Sequence, residues 1–159
     1  MQVKTTRFGT LEINDKKIIT FPAGLPGFEK LHRFFILPVE KSEHIQWLQS
    51  ADNPEIALLV IDPFQYFKGY SVEIPEPDLK YLQLENPADA LVLTTITVPH
   101  NKPGCATANL VAPIVINTRQ NKAKQVILNG SPYTTKHYLF PGAKETKQQE
   151  EKACGGEGL

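Results

Sequence analysis

The hydrophobic residues of the chain fall in short runs separated by polar turns, and the clearest pair of runs lies within residues 107–128. Residues 110–116 are apolar almost throughout, and residues 126–128 form a second apolar run. Between them, residues 118–124 carry three basic side chains and no large apolar one. Short apolar runs that are rich in β-branched residues and bounded by turn signals are typical of buried strands. We therefore predict a hairpin here, against which the rest of the sheet pairs.

The same pattern predicts further short strands along the chain. Thirteen prolines and ten glycines interrupt the sequence, which favours short strands over long helices. An N-terminal hairpin is predicted around a turn at residues 14–17, and a second hairpin is predicted from residues 45–49 and 55–61. The predicted strands outside residues 107–128 are 3–13 (bent at Gly9), 18–21, 33–39, 45–49, 55–61, 70–74, 90–98 and 133–139.

One helix is predicted at residues 78–84. Pro77 stands at its start, acidic residues occupy its first turn, and Leu79 and Leu82 are spaced for one apolar face. About nine or ten short strands with one short helix predict an all-β protein, either a small antiparallel, closed or partly open β-barrel or a sandwich. Residues 1–140 are expected to form this single domain, and residues 141–159 a flexible charged tail.

Three sequence features bear on where the protein works. The sequence contains no run of about 18 apolar residues, so no membrane span is expected. The first residues contain no apolar signal segment. The two cysteines, Cys105 and Cys154, are far apart in the sequence, which argues against a disulfide framework and for a reducing compartment. We therefore expect a cytoplasmic protein.

The charge of the chain sums to zero but is distributed unevenly. Residues 40–89 carry ten Asp/Glu against three Lys/Arg, whereas the segments on either side carry an excess of basic residues. An acidic segment of this kind can be an ordinary solvated face. It can also be a docking surface for a basic partner, because complementary charge raises the encounter rate and the specificity. Both interpretations remain open at the level of charge alone.

The sequence contains no pattern that predicts catalysis. The four histidines are isolated from one another, and no C-x-x-C or H-E-x-x-H spacing offers a metal site. No G-x-S-x-G motif offers a nucleophile. Cys105 precedes an apolar strand and is expected to be a small buried thiol. We expect no catalytic residue, no metal and no cofactor, and therefore no enzyme.

A nucleic-acid-binding module is the alternative from a different functional class. Residues 64–70 contain four aromatic side chains around Lys68, a combination that can stack single-stranded bases in an OB-like barrel. Basic residues also gather at Arg119, Lys122, Lys124 and Lys136. The aromatics can equally close one end of a core, and the acidic middle of the chain would repel phosphate. This alternative remains open.

Several short motifs stand in order along residues 1–140. They are Phe8-Gly9, 21–29 (FPAGLPGFE), 47–50 (WLQS), 62–63 (DP), 96–99 (ITVP), 109–117 (NLVAPIVIN) and 125–128 (QVIL). Together they resemble the flagellar assembly factor FliW family, and the likeness covers almost the whole predicted domain. Several spaced motifs in one order are far more specific than any one of them alone.

The resemblance implies a non-enzymatic bacterial cytoplasmic protein with a small β-barrel-like fold. Members of that family bind flagellin as a chaperone-like partner before export. They also bind CsrA, an RNA-binding translational regulator, and stop it from repressing flagellin mRNA. Exchange of the two partners couples the flagellin level to flagellin translation. The resemblance implies no active-site residues and no direct contact with nucleic acid, and we expect the free protein to be monomeric.

Charge suggests where such partners would bind. An RNA-binding regulator presents Lys and Arg to phosphate, so a protein that captures it would present acids. We therefore expect the CsrA-facing surface to include five acidic residues around the predicted strand and helix: Glu73, Glu76, Asp78, Glu85 and Asp89. The terminal segments of flagellin are amphipathic helices, which require a hydrophobic groove. The loops at 22–28 and 99–104 are candidates for that groove, and the turn at 118–124 is a further recognition candidate.

Overall fold

The computed structural model of the chain describes residues 1–40 and 42–140, and the predicted tail at 141–159 lies outside the described residues. The described part contains one α-helix, α1 (Glu76–Leu82), and eleven strands. The strands are β1 (Gln2–Thr5), β2 (Gly9–Glu12), β3 (Ile19–Thr20), β4 (Arg33–Pro38), β5 (Ile45–Ser50), β6 (Ala57–Ile61), β7 (Ala90–Thr97), β8 (Thr107–Ala108), β9 (Ile114–Asn117), β10 (Lys122–Gln125) and β11 (His137–Tyr138). The prediction of an all-β protein with one short helix is confirmed.

Seven of these strands form a closed ring. Their order is β7, β6, β5, β4, β3, β10 and β9, and β9 pairs again with β7 through Leu91 opposite Ile116 and Val92 opposite Val115. The ladders are antiparallel except where β10 meets β3, which it joins in parallel. Strands β8 and β11 extend the sheet from β7, and β1 and β2 form a separate pair. A closed ring leaves few free edges among its own strands.

The main hydrophobic core fills the ring. Each of the seven strands contributes at least one buried side chain to it, because alternate residues of a strand point to the same face. These side chains are Ile19, Phe34, Leu48, Val60, Leu93, Ile114, Ile116 and Ala123. Phe21 joins them, and its ring meets that of Phe34 edge to face at 5.1 Å between centroids. Edge-to-face pairs of this kind add to the free energy gained from burial alone.

The predicted N-terminal hairpin, residues 3–13 against 18–21, does not form: the predicted first strand folds on itself as a hairpin, and β3 pairs with β4 and β10 instead. Strands β1 and β2 pair directly, with Thr5 opposite Gly9, so the turn lies at residues 6–8. The Thr5 hydroxyl closes this turn by donating to the Gly9 carbonyl and accepting from the Phe8 N–H, both at 2.8 Å. The predicted turn at 14–17 is instead the 3₁₀ turn Asp15–Lys17, which leads into β3. The side-chain hydrogen bonds of Thr5 place the turn at residues 6–8, and they cannot be inferred from the pattern of apolar residues.

The hairpin within residues 107–128 forms with a shifted boundary. Its second strand is the polar segment β10, and its turn is shorter than predicted, at 118–121. Ala123 faces the core while Lys122 and Lys124 point the other way, so the period of two is kept with a single small apolar residue. The apolar residues 126–128 follow the strand, and Val126 and Leu128 donate to backbone carbonyls of 113 and 111.

Two further expectations are corrected. The predicted strand at 70–74 does not pair with any strand in the described residues, because the Ser71 N–H donates to the Tyr133 hydroxyl at 3.0 Å instead of entering a ladder. Cys105 is disulfide-bonded and only partly buried, which corrects both the expectation of a small buried thiol and the sequence argument against a disulfide. The strands predicted at 33–39, 45–49, 55–61 and 90–98 are confirmed as β4 to β7. Over the described residues, the structure contains no helix of the length and apolarity that a bilayer crossing requires.

Asp52 joins the turn after β5 to the start of β4. Its carboxylate accepts from the Arg33 Nε at 2.9 Å and Nη2 at 2.6 Å, and from the backbone N–H groups of His32 and Arg33. Partial burial raises the pKa of the carboxyl, but the hydrogen bonds and charge of Arg33 outweigh it and hold the pKa below its ordinary value of 3.8. The stabilisation is therefore present above pH 3.8 and is lost as the pH falls through the folded-state pKa.

We expect Asp52→Asn to lower the free energy of unfolding by about 1 kcal/mol at neutral pH, a modest loss because the Arg33 side chain is half exposed. Urea unfolding of both proteins at about pH 7 and about pH 3 measures this, and the difference should shrink at the lower pH. Glu55→Gln, at an exposed carboxyl, is the control. An equal difference at both pH values would contradict the assignment.

Candidate functional site

The exposed side chains of Glu73, Glu76 and Glu85 lie on and near the segment that enters helix α1, and we call the surface that they form the acidic face. The chain leaves β6 through the 3₁₀ turn Pro63–Gln65, runs through residues 70–75 and enters the helix at Glu76. The helix begins two residues earlier than predicted, because Pro77 fits the first helical turn and the Glu76 and Asp78 carboxylates complement its positive end. It ends at Leu82, two residues before the predicted end at 84, because Gln83 caps it with a left-handed φ of 55°.

The hairpin of β9 and β10 holds this helix in place. The buried Asn117 side chain donates to the backbone carbonyls of Leu82 at 2.8 Å and Gln83 at 3.2 Å, which would otherwise lack partners at the helix end. Lys124 donates to the Asp78 carboxylate. The ammonium groups of Lys122 and Lys124 also lie over the Tyr81 ring, at 4.6 and 5.1 Å from its centroid. The hairpin is therefore a scaffold for the acidic face.

A groove of about 570 Å³ opens between residues 70–75, helix α1 and strand β7. Its apolar lining comes from Phe64, Val72, Ile74, Leu79, Leu84 and Val92, and Glu85 stands among them. We call this the apolar groove. Phe64 is 49% exposed, a large fraction for an aromatic side chain. A concave apolar surface with a few polar groups is the usual form of a binding site.

The five predicted acidic residues divide into two sets. Glu73, Glu76 and Glu85 are exposed and form no ion pair within the described residues. Asp78 and Asp89 are partly buried and face Lys124 and Arg119, the latter pair at 3.9 Å. The structure therefore leaves the first three exposed, with Glu85 at the apolar groove and Glu73 at a smaller groove shared with residues 128–133, and uses the other two to attach the hairpin.

The apolar groove was not predicted from the sequence, although the aromatic cluster that contributes Phe64 to its lining was noted there. Of the aromatic cluster at 64–70, Tyr66, Phe67 and Tyr70 pack on a core cluster, as the structural interpretation expected, and only Phe64 is exposed. The Tyr70 hydroxyl donates to the Leu110 carbonyl at 2.8 Å. Burial, with a smaller contribution from Tyr133, raises the pKa of Tyr70 far above its ordinary value, so the hydroxyl stays protonated.

The loop at 22–28 is ordered by its own backbone and by one buried side chain. Leu25 and Phe28 exchange backbone hydrogen bonds at 3.3 and 2.7 Å, and Leu25 is buried in the main core. Gly24 has a φ of 67°, and a Cβ at this position would lie 2.6 Å from the backbone of Glu29. The loop borders a second groove of about 330 Å³, which also touches the end of β7 at Thr97. The loop at 99–104 leaves β7 nearby and ends in the 3₁₀ turn Pro103–Cys105.

Asn117→Ala should lower the free energy of unfolding by about 2 kcal/mol, because two helix-end carbonyls lose their donor and one of them is buried. Chemical denaturation of the purified variant measures this. Asn14→Ala removes an exposed side-chain hydrogen bond to the Lys16 N–H and should cost less than about 1 kcal/mol. Equal losses in the two variants would show that Asn117 does not anchor the helix.

Known proteins resemble this chain in sequence and in fold. A family model described as FliW protein matches residues 2–139. A relative named flagellar assembly factor FliW from Moorella thermoacetica is 44% identical over 99% of this chain and 100% of its own length. Another relative of that name, from Thermosipho africanus, is 41% identical over 84% of this chain and 92% of its own. A solved structure, titled as the crystal structure of the flagellar assembly factor FliW, superposes with a TM-score of 0.83 at 37% identity, covering 89% of this chain and 98% of that one.

Proposed function

The chain belongs to the FliW family of flagellar assembly factors, and we propose that it binds two partners, flagellin and the translational regulator CsrA. In this proposal it accompanies flagellin in the cytoplasm before export, and it binds and antagonises CsrA when flagellin is scarce. Exchange between the partners then couples flagellin level to flagellin mRNA translation. The role is one of binding and involves no chemical step, and the free protein is a monomer.

The observation that carries the CsrA part of the proposal is the exposed acidic face. Glu73, Glu76 and Glu85 are the three predicted acids without an intramolecular ion pair in the described residues, and Glu85 lines the apolar groove. A regulator that binds RNA presents Lys and Arg to phosphate. Three uncompensated carboxylates beside an apolar surface are complementary in charge to such a protein. Asp78 and Asp89 support the site through the hairpin and do not contact the partner.

The second groove, beside the loop at 22–28, is the proposed flagellin site. Leu25, Pro26 and Phe28 line it from the loop, and Leu58 and Ile96 line it from the ring. An amphipathic helix buries its apolar face in a groove of this kind. The loop at 99–104 leaves β7 close to it and belongs to the same proposed surface.

A single-stranded nucleic-acid-binding role has less support. Three of the four basic residues that suggested it have intramolecular partners: Lys124 contacts Asp78, Arg119 faces Asp89, and Lys122 lies over Tyr81. Of the aromatics, most are packed in the core. The exposed acids of the acidic face would repel phosphate.

Size-exclusion chromatography separates the two functions. The purified protein is mixed in turn with flagellin, with CsrA and with flagellin leader RNA. We expect co-elution with each protein and no shift with RNA alone, and flagellin should release CsrA from a preformed complex. Direct RNA binding without CsrA, or failure to bind either protein, would overturn the proposal.

A further inference from the structure

We propose that residues 71–75, an extended segment that pairs with no strand in the described residues, accept an extended, basic segment of a protein partner as an added strand, with one apolar side chain of that segment in the apolar groove. This rests on the proposed function only in that the acidic face is a partner surface. It adds the way in which the partner is held, through main-chain hydrogen bonds.

Residues 71–75 have the side-chain pattern of a strand but lack its hydrogen bonds. Val72 and Ile74 are half-buried, whereas Ser71, Glu73 and Pro75 are exposed, which is the period of two of extended backbone. Within the described residues, no hydrogen bond engages the N–H or C=O of Val72, Glu73 or Ile74. Unpaired backbone groups in a row form a template for another strand.

The free edge of this segment is the one to which Val72 and Ile74 direct their backbone N–H and C=O groups. Successive residues of an extended chain direct their N–H and C=O groups to opposite sides. The Ser71 N–H points to the Tyr133 hydroxyl, so Val72 and Ile74 direct theirs to the other side. Val72 and Ile74 line the apolar groove, while Glu73 and Pro75 line a different, smaller groove shared with residues 128–133. An added strand would therefore lie along Val72 and Ile74.

Charge defines the chemistry of the added segment. Glu73 lines the smaller groove on the other side of the segment, Glu76 begins helix α1, and Glu85 lines the apolar groove. All three lack ion pairs in the described residues, so Lys or Arg at alternate positions of the partner, on the face of Glu73, would compensate this negative charge. The volume of about 570 Å³ and the lining of Leu79, Leu84 and Val92 suit an aliphatic side chain between those basic positions. The partner is thus an alternating basic and aliphatic segment in extended conformation, and not an amphipathic helix.

A synthetic heptapeptide that alternates lysine with leucine tests this in solution. Its affinity for the full chain is measured by fluorescence anisotropy, and amide exchange of the protein is followed by NMR. Binding should slow exchange at Val72 and Ile74 and leave Glu73 unchanged. Two N-methylated versions, on the leucines or on the lysines, block opposite edges of the peptide. One should lose about tenfold or more in affinity and the other should bind nearly as the parent does.

Two controls complete the test. A peptide of the same composition arranged with helical spacing should bind about tenfold more weakly. The variant carrying Glu73→Gln, Glu76→Gln and Glu85→Gln should bind the parent peptide weakly, with little salt dependence. Equal affinity for both N-methylated peptides, tighter binding of the helical arrangement, or protection of Val72 and Ile74 by self-association without peptide would each overturn the inference. If CsrA binds but the Val72 and Ile74 amides are not protected and N-methylation does not change peptide affinity, the inference of strand addition is wrong and the proposed function stands. If the peptide binds as expected but CsrA and flagellin do not bind, the inference of strand addition stands and the proposed function is wrong.

Discussion

Replacing Glu73, Glu76 and Glu85 together by lysine should weaken CsrA binding about 100-fold at physiological salt, equivalent to about 2.7 kcal/mol. These three carboxylates are exposed and have no ion pairs in the described residues, so each can face a basic group of the partner without first leaving an internal one. Reversal removes the attraction and adds repulsion. Isothermal titration calorimetry over a range of salt concentrations measures both effects, and the variant should lose the salt dependence of the wild type.

The control is a second triple variant in which three other glutamates are replaced by lysine, so that the net charge changes equally at a different place on the surface. Glu40, Glu43 and Glu55 are also exposed, and none of them lines the apolar groove. Reversing these three should alter CsrA affinity less than about threefold, through long-range charge alone. If both triple variants lose affinity equally, only net charge matters and the acidic face is not the site. Unchanged affinity in the first variant would contradict the proposal directly.

Gly24→Ala is expected to lower the free energy of unfolding by about 3 to 4 kcal/mol. Two effects combine at this position. The φ of 67° is unfavourable for any residue with a Cβ, and the Cβ would lie 2.6 Å from backbone atoms of Phe28 and Glu29, which cannot rotate away. Since Leu25 is part of the main core, relief of the clash would disturb its packing. Denaturant unfolding, with circular dichroism to confirm the native fold, gives the free energy.

Gly27→Ala is the matched control in the same loop. Gly27 has a φ of 85°, but a Cβ there would meet no atom within 4 Å. Gly27→Ala should therefore lower the free energy of unfolding by only about 1 kcal/mol, the part that comes from the unfavourable φ. The difference between the two variants isolates the clash at Gly24. Equal losses would mean that the loop moves to accommodate the added methyl group.

The strands that the sequence predicted well are those with strong apolar runs. Strands β4 to β7 and the first arm of the hairpin carry enough branched and aromatic residues to be recognised individually. The errors occur where one hydrogen bond or contact outweighs the pattern. Thr5 moved the first turn, Tyr133 kept residues 70–74 out of a ladder, and Ala123 was sufficient to place β10 in the ring.

The candidate site was only partly visible in the sequence. The charge count correctly indicated five acids near the predicted helix, but it could not say which of them had internal partners. Asp78 and Asp89 differ from Glu73 in that basic residues lie opposite them, namely Lys124 and Arg119 from a hairpin 30 or more residues away in the chain. Long-range pairing of this kind is set by packing and not by local spacing. The apolar groove was missed for the same reason, since its lining comes from three separate segments.

The sequence by itself determined the class of fold, the family and the acidic character of the middle segment, because alternation, turn residues, ordered motifs and charge are all local properties of the chain. Only the tertiary structure decided that Gly24, unlike Gly27, leaves no room for a Cβ, which of the five acids have internal partners, and that residues 71–75 pair with no strand in the described residues. Each of these depends on which distant atoms lie within a few ångströms, and such distances exist only after the ring has closed.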